Sequence, residues 1–124
     1  MDGGAYNRLL VTGATGFVGP HLIAALRQNF GSALEIVSAS PQGEALDGAS
    51  SAKLDLTDPG SARALVEAVR PDACLHLAGV SHISHALKNP LDTWTVNLMG
   101  ALALAEALQA CVPDAPLVHV SSGE

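Results

Sequence analysis

Short apolar runs alternate along this chain with longer segments in which apolar residues recur at helical spacing. The short runs predict five β-strands. These are Arg8–Thr12, Leu34–Ala39, Ala52–Asp55, Asp72–Ala78 and Leu117–Val120. The strands are apolar at successive positions, which is typical of strands buried on both faces of a parallel sheet.

The longer segments predict three helices, at Phe17–Asn29, Pro59–Val69 and Pro90–Ala110. Asp58 is a suitable N-cap for the second helix, and Pro59 suits its first position. The first helix is expected to present one apolar face, formed by Phe17, Leu22, Ile23 and Leu26. Repeated strand–helix–strand units predict an α/β fold, a doubly wound parallel sheet with helices on both faces. We expect residues 1–124 to form one such domain.

The third predicted helix is apolar around almost its whole circumference. A helix of this kind is buried on more than one side. One side is expected to face the sheet, and the other to meet either a further helix or another subunit. The apolar positions are Val96, Leu98, Met99, Leu102, Leu104 and Leu108.

Composition narrows the classes of protein that the chain can represent. Twelve Asp and Glu against six Lys and Arg give a net charge of −6, so no basic surface for nucleic acid is expected. No apolar run approaches the ~20 residues that span a bilayer, and the N-terminus lacks a signal-peptide pattern. Two cysteines are too few for a disulfide framework, and Cys74 is expected to be an inert core thiol. A cytoplasmic protein is the expectation.

Three glycines lie between the first strand and the first helix, in the spacing G-x-x-G-x-x-G. Gly13 permits a tight turn out of the strand, Gly16 lets the backbone approach a pyrophosphate, and Gly19 lets helix and strand pack closely. The helix N-terminus then offers backbone N–H groups to phosphates. The alternative is a glycine-rich turn without a ligand. The predicted cofactor-binding residues here are Gly13, Thr15, Gly16, Phe17, Val18 and Gly19.

This motif resembles that of the short-chain dehydrogenase/reductase superfamily, in its extended branch, the NAD-dependent epimerase/dehydratase family. The resemblance runs from about Arg8 to Glu124 and implies the N-terminal five-strand portion of a Rossmann fold. Further matching segments are D-L-T-D at 55–58, H-L-A-G-V-S-H at 76–82, V-N-L-M-G at 96–100 and V-H-V-S-S-G-E at 118–124. H-L-A-G together with S-S-G-E most resembles reductases of GDP-4-keto-6-deoxymannose and related GDP-mannose 4,6-dehydratases.

The resemblance assigns further residues to the cofactor. Asp55 and Leu56 match an acidic element that holds the adenine ring, although an Asp here can also be only a helix cap. Leu77, Ala78 and Gly79 match the strand end that lies against the nicotinamide ribose. Asn97 matches an Asn that ties the long helix to a strand, and its apolar neighbours favour a buried, hydrogen-bonded side chain.

Catalytic and substrate residues are also implied by the resemblance. Ser122 matches the catalytic Ser or Thr whose hydroxyl bonds the substrate oxygen. Glu124 matches an acid that abstracts a proton beside a ketone in sugar-nucleotide dehydratases. Ser81 and His82 are placed at the mouth of the substrate cleft. A metal site at the histidines is not expected, because no carboxylate or thiol is placed with them.

The chain departs from the family pattern in two respects. The family's Tyr-x-x-x-Lys is absent, since the only tyrosine is Tyr6. We therefore expect these 124 residues alone to be inactive, either as part of an enzyme of about 300 residues or as a natural half-domain. The second strand also lacks the terminal acid typical of NAD enzymes. Ser38 and Ser40 stand there instead, with Lys53 the nearest cation in sequence, which favours NADP over NAD.

The expected function is that of the cofactor-binding portion of an NAD(P)-dependent nucleotide-sugar reductase, epimerase or 4,6-dehydratase. The alternative is a non-catalytic NAD(P)-binding module or redox sensor. A GDP-sugar is the favoured substrate. A homodimer formed through the 90–110 helix is implied, since in this branch that helix joins a bundle between subunits. His119 is expected to be a core histidine, because it alternates with apolar residues of the fifth strand.

Overall fold

The computed structural model describes residues 6–79 and 83–120, and within them one sheet of five parallel strands in the order β3-β2-β1-β4-β5. The predicted fold class, a doubly wound parallel sheet, is confirmed. Each observed strand lies within two residues of its predicted start. The strands are β1 Arg8–Thr12, β2 Glu35–Ser40, β3 Ser50–Lys53, β4 Ala73–His76 and β5 Leu117–His119.

The central strand β1 is the most completely buried part of the sheet. It pairs with β2 on one side, where Leu10 faces Val37, and with β4 on the other, where Leu10 faces Cys74. Leu10 is fully buried. Because both neighbours and both faces cover it, β1 is apolar at Leu9, Leu10 and Val11.

The helices connect these parallel strands, and two of their features were not predicted. A short helix, α3, precedes the long helix of residues 90–111, and the long helix contains a π-helical turn at Thr95–Met99. The α-helices are α1 Gly19–Phe30, α2 Pro59–Val69, α3 Ile83–Lys88, α4 Pro90–Trp94 and α5 Gly100–Cys111, of which α4 and α5 flank the π turn.

Two apolar clusters lie on opposite faces of the sheet, as a doubly wound fold requires. On one face α2 and α5 pack against Leu10, and on the other α1 packs against Leu9 and Val11. The first cluster includes Leu65, Val66, Leu104 and Leu108; the second includes Ile23, Leu34 and Ile36.

The N-termini of α1 and α2 test the predictions made from local sequence signals. Asp58 is the N-cap of α2, its carboxylate accepting a hydrogen bond of 2.9 Å from the Gly60 N–H, as predicted. Helix α1 begins at Gly19, two residues later than predicted. The placement of Phe17 on the apolar face was therefore wrong: Phe17 precedes the helix and is 88% exposed.

The long helix is divided into a buried and an exposed portion. In α5, Leu104 and Leu108 are buried against the sheet. The face predicted to need a second neighbour is exposed within the part of the chain that the structure describes. Its residues are Leu91, Trp94, Leu98, Met99 and Leu102. None of the described helices is long and apolar enough to cross a membrane.

Candidate cofactor-binding site

A groove of about 620 Å³ runs along the carboxyl edge of the sheet. Ligand grooves in α/β proteins form at this edge, and this volume lies in the range of small-molecule sites. Strand ends β1 to β4, the turn before α1 and the long helix all contribute to it. The lining includes Gly13, Thr15, Gly16, Phe17, Val18, Ser40, Asp55, Leu56, Leu77, Ala78 and Gly79, all predicted as cofactor-binding residues.

Glycine is required at two positions of the turn because backbone approaches backbone there. Gly13 has a φ of 73°, and a Cβ on it would lie 2.5 Å from the Ala78 nitrogen. A Cβ on Gly19 would lie 1.6 Å from the Ala14 carbonyl oxygen. Gly19 is buried and does not line the groove, so it shapes the site from behind.

Gly16 differs from these two glycines. It lies in the groove lining and is exposed, and its N–H donates to the Gly13 carbonyl at 3.2 Å. A Cβ on Gly16 would meet only that carbonyl oxygen, at 3.4 Å, an ordinary contact. The absence of a side chain at Gly16 therefore leaves space in the groove and is not demanded by packing.

The N-terminus of α1 opens onto this groove. Val18, the residue before the helix, supplies no side-chain hydrogen bond to the first turn, and that turn holds no acidic residue. The initial N–H groups of a helix and its dipole create a positive potential. Thr15 to Val18 are exposed beside it, so an anion can approach the helix end from the groove.

Thr12 fixes the spacing between the ends of β1 and β4. Its Oγ1 accepts a hydrogen bond from the Ala78 N–H at 3.3 Å and lies 2.6 Å from His76 Nδ1. The hydroxyl can accept from the Ala78 N–H and form a second hydrogen bond with His76 Nδ1, in which it donates or accepts according to the tautomer of the ring. The Gly13 turn and the Ala78–Gly79 strand end are thereby held against each other.

His76 is held as the neutral imidazole in this bridge. Its side chain is 1% exposed, and burial lowers its pKa to about 4, with the positive charge of a protonated His119 acting in the same direction. The two rings lie 5.2 Å apart. Nδ1 forms the hydrogen bond with Thr12, and Nε2 has no hydrogen-bond partner among the described residues.

On the opposite wall of the groove, Asp55 organises the turn after β3. Its Oδ1 accepts from the Thr57 N–H at 2.9 Å and the Thr57 hydroxyl at 2.5 Å. These hydrogen bonds hold the pKa of the Asp55 carboxyl below its usual value. Since Asp58 caps α2, Asp55 is not the helix cap, and its exposed carboxylate lies in the groove lining.

One of the two predictions at the end of β2 needs correction. Ser38 is fully buried within the sheet, and its hydroxyl has no partner in the described part of the chain, so it does not reach the groove. Side chains alternate between the faces of a strand, and Ser38 belongs to the face covered by α1. Ser40 does line the groove, but it is 2% exposed and its Oγ accepts from the Glu44 N–H at 3.1 Å.

Two further predictions of burial were wrong. Asn97 is exposed, although its side chain does approach a strand end: a Cβ on Gly79 would lie 3.0 Å from Asn97 Oδ1. The π-helical turn alters the side-chain register of the long helix there. His119 is also exposed, because β5 is the edge strand of the described sheet.

The predicted substrate residues Ser81 and His82 and the predicted catalytic residues Ser122 and Glu124 lie outside the described residues. Within the described ranges, no group of three His, Cys, Asp or Glu side chains is placed to hold a metal ion. Cys74 is buried as predicted, and burial raises the pKa of its thiol to about 12.

The groove also contains residues that the sequence analysis did not assign. All but one lie at or within a few residues of a strand's carboxyl end, so the rule that ligands bind there could have found them. Val96 could not have been found this way, because it lies on the long helix and not at a strand end. The unassigned lining residues are Ala39, Pro41, Leu54, Thr57, Val96 and Val120.

The parallel sheet, the glycine turn into α1 and the groove at the carboxyl edge define a Rossmann fold. Residues 9–124 match the model of the NAD dependent epimerase/dehydratase family, and the chain belongs to that family. Its relatives are NAD-dependent sugar-nucleotide reductases, epimerases and dehydratases.

Comparisons with individual proteins agree with this family assignment. The chain is 36% identical over 117 residues to a GDP-6-deoxy-D-mannose reductase of Pseudomonas aeruginosa, covering 94% of this chain and 34% of the relative. It is 31% identical to a dTDP-glucose 4,6-dehydratase of Mycobacterium tuberculosis, covering 94% and 37%. A UDP-glucose 4-epimerase structure with bound NAD from Stenotrophomonas maltophila superposes with a TM-score of 0.75 at 25% identity, covering 95% and 38%. The chain thus spans about a third of the length of these relatives.

Proposed function

We propose that the protein is an NAD(P)-dependent nucleotide-sugar oxidoreductase and that the groove binds its adenine dinucleotide. The observation that supports this best is the glycine turn. Two of its glycines, Gly13 and Gly19, are required by backbone contacts, whereas Gly16 leaves open space beside the helix N-terminus. Closely packed backbone with one open glycine fits a pyrophosphate lying across the turn.

Each wall of the groove has a proposed part in holding the dinucleotide. The N–H groups at the start of α1 bind the pyrophosphate. Asp55 and Leu56 hold the adenine, and the backbone of Asp55 is already fixed by its N–H donating to Ser61 Oγ at 2.9 Å. Ala78 and Gly79, which have little or no side chain, leave room for the nicotinamide ribose. Asn97, beside Gly79, ties the long helix to this end of β4.

The bound cofactor would supply a hydride donor and acceptor at the nicotinamide ring. The proposed role of Ser122 is to donate a hydrogen bond to the sugar oxygen at the reacting carbon. In a dehydratase, Glu124 would remove the proton beside the ketone. Tyr6 is not assigned as the acid/base, because it lies before β1 at the amino edge of the sheet, opposite the groove.

The proposed substrate is a nucleotide-activated sugar, with a GDP-sugar favoured and Ser81 and His82 at the mouth of its cleft. The GDP preference is supported by the H-L-A-G and S-S-G-E segments and by the similarity to the Pseudomonas aeruginosa enzyme. NADP is the proposed cofactor in preference to NAD, since β2 ends without a carboxylate that would repel a 2′-phosphate.

The proposed protein acts in the cytoplasm as a homodimer joined through the long helix. The exposed apolar side chains of that helix support this, because contiguous exposed apolar surface marks interaction sites.

The test is an assay of the intact natural protein with GDP-, UDP- and dTDP-linked sugars and their 4-keto forms. Oxidation of NADPH or NADH is followed by absorbance, and epimerised or dehydrated sugars are detected by NMR and mass spectrometry. We expect turnover with a GDP-sugar, lost in Ser122→Ala while the dissociation constant for the dinucleotide is unchanged. Binding of the dinucleotide without turnover of any sugar would instead identify a binding module. For a dehydratase, Glu124→Gln should stop water elimination but leave oxidation at C4.

A further inference from the structure

The connection between β2 and β3 is a loop, residues 41–49, that leads from the groove to the far end of α1. Its first residue, Pro41, lines the groove. Residues 45–48 lie beside α1, from Pro20 near the start of the helix to Arg27 in its last turn. A cavity of about 560 Å³ lies between these residues and the helix, so side-chain packing fixes this part of the loop only in part.

Hydrogen bonds hold the loop near both of its ends. Near its start, the Glu44 N–H donates to Ser40 Oγ at 3.1 Å. Near its end, Arg27 Nε donates to the Gly48 carbonyl at 3.1 Å, and Arg27 Nη2 donates to the same oxygen. Gly48 has a φ of 85°, and a Cβ on it would lie 3.2 Å from Ile23 Cγ2, so the loop backbone approaches α1 closely at this point.

The same guanidinium also fixes the chain between α1 and β2. Arg27 Nη1 donates to the Gly31 carbonyl at 3.2 Å and to the Leu34 carbonyl. Arg27 is half-buried and forms no ion pair with a carboxylate among the described residues. Its hydrogen bonds within the described chain all end on backbone carbonyls, which the rigid fork of a guanidinium can join in one fixed arrangement.

We propose that Arg27 is a positioning residue for the dinucleotide: by tying residues 41–49 to α1, it sets the distance between Pro41 and the turn before α1. This inference rests on the proposed function, because it requires the dinucleotide to lie in the groove between these two elements. Arg27 does not line the groove, and its guanidinium lies near the starts of β2 and β3. Its effect is therefore transmitted through the backbone of the loop, most of whose residues are exposed.

The experiment compares Arg27→Met with the matched control Arg8→Met in the intact natural protein. Both changes remove one positive charge and a half-buried arginine that bonds a backbone carbonyl, but Arg8 bonds Glu35 and Val69 and no residue of the loop. Isothermal titration calorimetry is carried out with NADPH, NADH, 5′-AMP and nicotinamide mononucleotide. We expect Arg27→Met to weaken the dinucleotides and 5′-AMP about fivefold, a part of the strength of one hydrogen bond to a charged group. Nicotinamide mononucleotide should bind unchanged, and Arg8→Met should leave the affinities for all four compounds unchanged.

Three further measurements separate positioning from a general loss of stability. Amide hydrogen exchange of the free protein should accelerate at Glu44 and Ala49 in Arg27→Met but not in Arg8→Met. The KM for the dinucleotide should rise in Arg27→Met, while kcat and the KM for the sugar stay unchanged. Arg27→Lys keeps the charge but not the fork, so it should give a smaller loss of 5′-AMP affinity.

The outcomes separate the two proposals. Unchanged affinity for the dinucleotides and 5′-AMP in Arg27→Met, or an equal loss in Arg8→Met, would overturn the role of Arg27 and leave the dinucleotide site standing. A matching loss of affinity for nicotinamide mononucleotide would place the disturbance outside the loop and overturn that role too. If Arg27→Met does not fold, unchanged 5′-AMP affinity in Arg27→Lys would overturn it. Absence of binding of all four compounds by the unaltered protein would overturn the dinucleotide site itself, and the role of Arg27 with it.

Discussion

The two walls of the groove are built in different ways. On the wall formed by β1 and β4, backbone packs on backbone: Gly13 meets Ala78, Gly19 meets Ala14, and Thr12 bridges the two strands. On the wall formed by β2 and β3, the exposed side chains of Asp55 and Thr57 line the groove. The first wall therefore couples binding to stability, whereas the second can change its ligand preference at little cost in folding.

The largest loss of stability is expected for a substitution at Gly19, on the wall formed by β1 and β4. In Gly19→Ala the new Cβ would overlap the Ala14 carbonyl, and since this oxygen belongs to buried backbone, we expect a loss of about 3 kcal/mol or more in unfolding free energy. Denaturant unfolding measures it. The matched control is Gly60→Ala near the start of α2, where φ is not positive and the Cβ meets only the Asp58 side chain at 3.3 Å, so the change should be less than about 1 kcal/mol. Equal losses in the two variants would show that the contact with Ala14 does not constrain the turn.

A pH dependence of stability follows from His76 on the same wall. Its pKa of about 4 in the folded protein lies below the usual 6.5. The unfolded state therefore takes up the proton first as pH falls. The contribution of His76 to the unfolding free energy is fully present above pH 6.5. It declines by about 3 kcal/mol as pH falls toward 4.

Urea unfolding at several pH values measures the slope of unfolding free energy against pH. His76→Asn, which keeps an acceptor near Thr12, should flatten it, whereas the matched change at exposed His21 should not. A slope that persists unchanged in His76→Asn would exclude His76 as its source. Below this window, the Asp55 carboxyl contributes in the same direction, because its lowered pKa also favours the folded state above its titration range.

Removal of the Thr12 hydroxyl, which bridges β1 and β4, is expected to cause an intermediate loss of stability. Thr12→Val keeps the shape of the side chain but leaves buried His76 Nδ1 and the Ala78 N–H without their partner, so we expect a loss of about 1–3 kcal/mol. The same substitution at exposed Thr57 on the opposite wall should cost less than about 0.5 kcal/mol. Thermal and denaturant unfolding of the two variants gives the comparison. A larger loss of unfolding free energy in Thr57→Val than in Thr12→Val would contradict the view that the β1–β4 wall carries more of the stability.

The smallest effect on stability is expected at Gly16. In Gly16→Ala the Cβ makes only an ordinary contact, so unfolding free energy should change by less than about 0.5 kcal/mol. Dinucleotide affinity should nevertheless fall, because the methyl group occupies groove space next to the helix N-terminus. Fluorescence titration with NADPH checks this. Unchanged affinity would mean that the pyrophosphate does not cross the turn at Gly16.

The sequence predicted the backbone-built wall well, for a physical reason. Close approach of two backbones excludes every residue except glycine, so Gly13 and Gly19 mark the contact in the sequence itself. The apolar strands and the Asp58 cap are likewise local signals. The strand order was not predicted, because the right-handedness of the connections does not decide which strand lies at the centre of the sheet.

The side-chain wall was predicted less well, because its properties depend on tertiary placement. The alternation of β2 directs Ser38 into the core, which a sequence with apolar residues on both sides of it does not reveal. The proximity of Lys53 to Gly43 is created by strand pairing across ten residues of chain. Asn97 is exposed and lies in a π-helical turn, which the regular helical pattern of the sequence does not indicate.

The most direct test of the dinucleotide site is a crystal structure of the intact natural protein with NADPH bound. The account predicts the pyrophosphate at the backbone N–H groups between Gly13 and the start of α1, and the adenosine between the ends of β2 and β3 beside Asp55. Density for the dinucleotide elsewhere, such as the shallow pocket between Arg27 and Ser50, would contradict it.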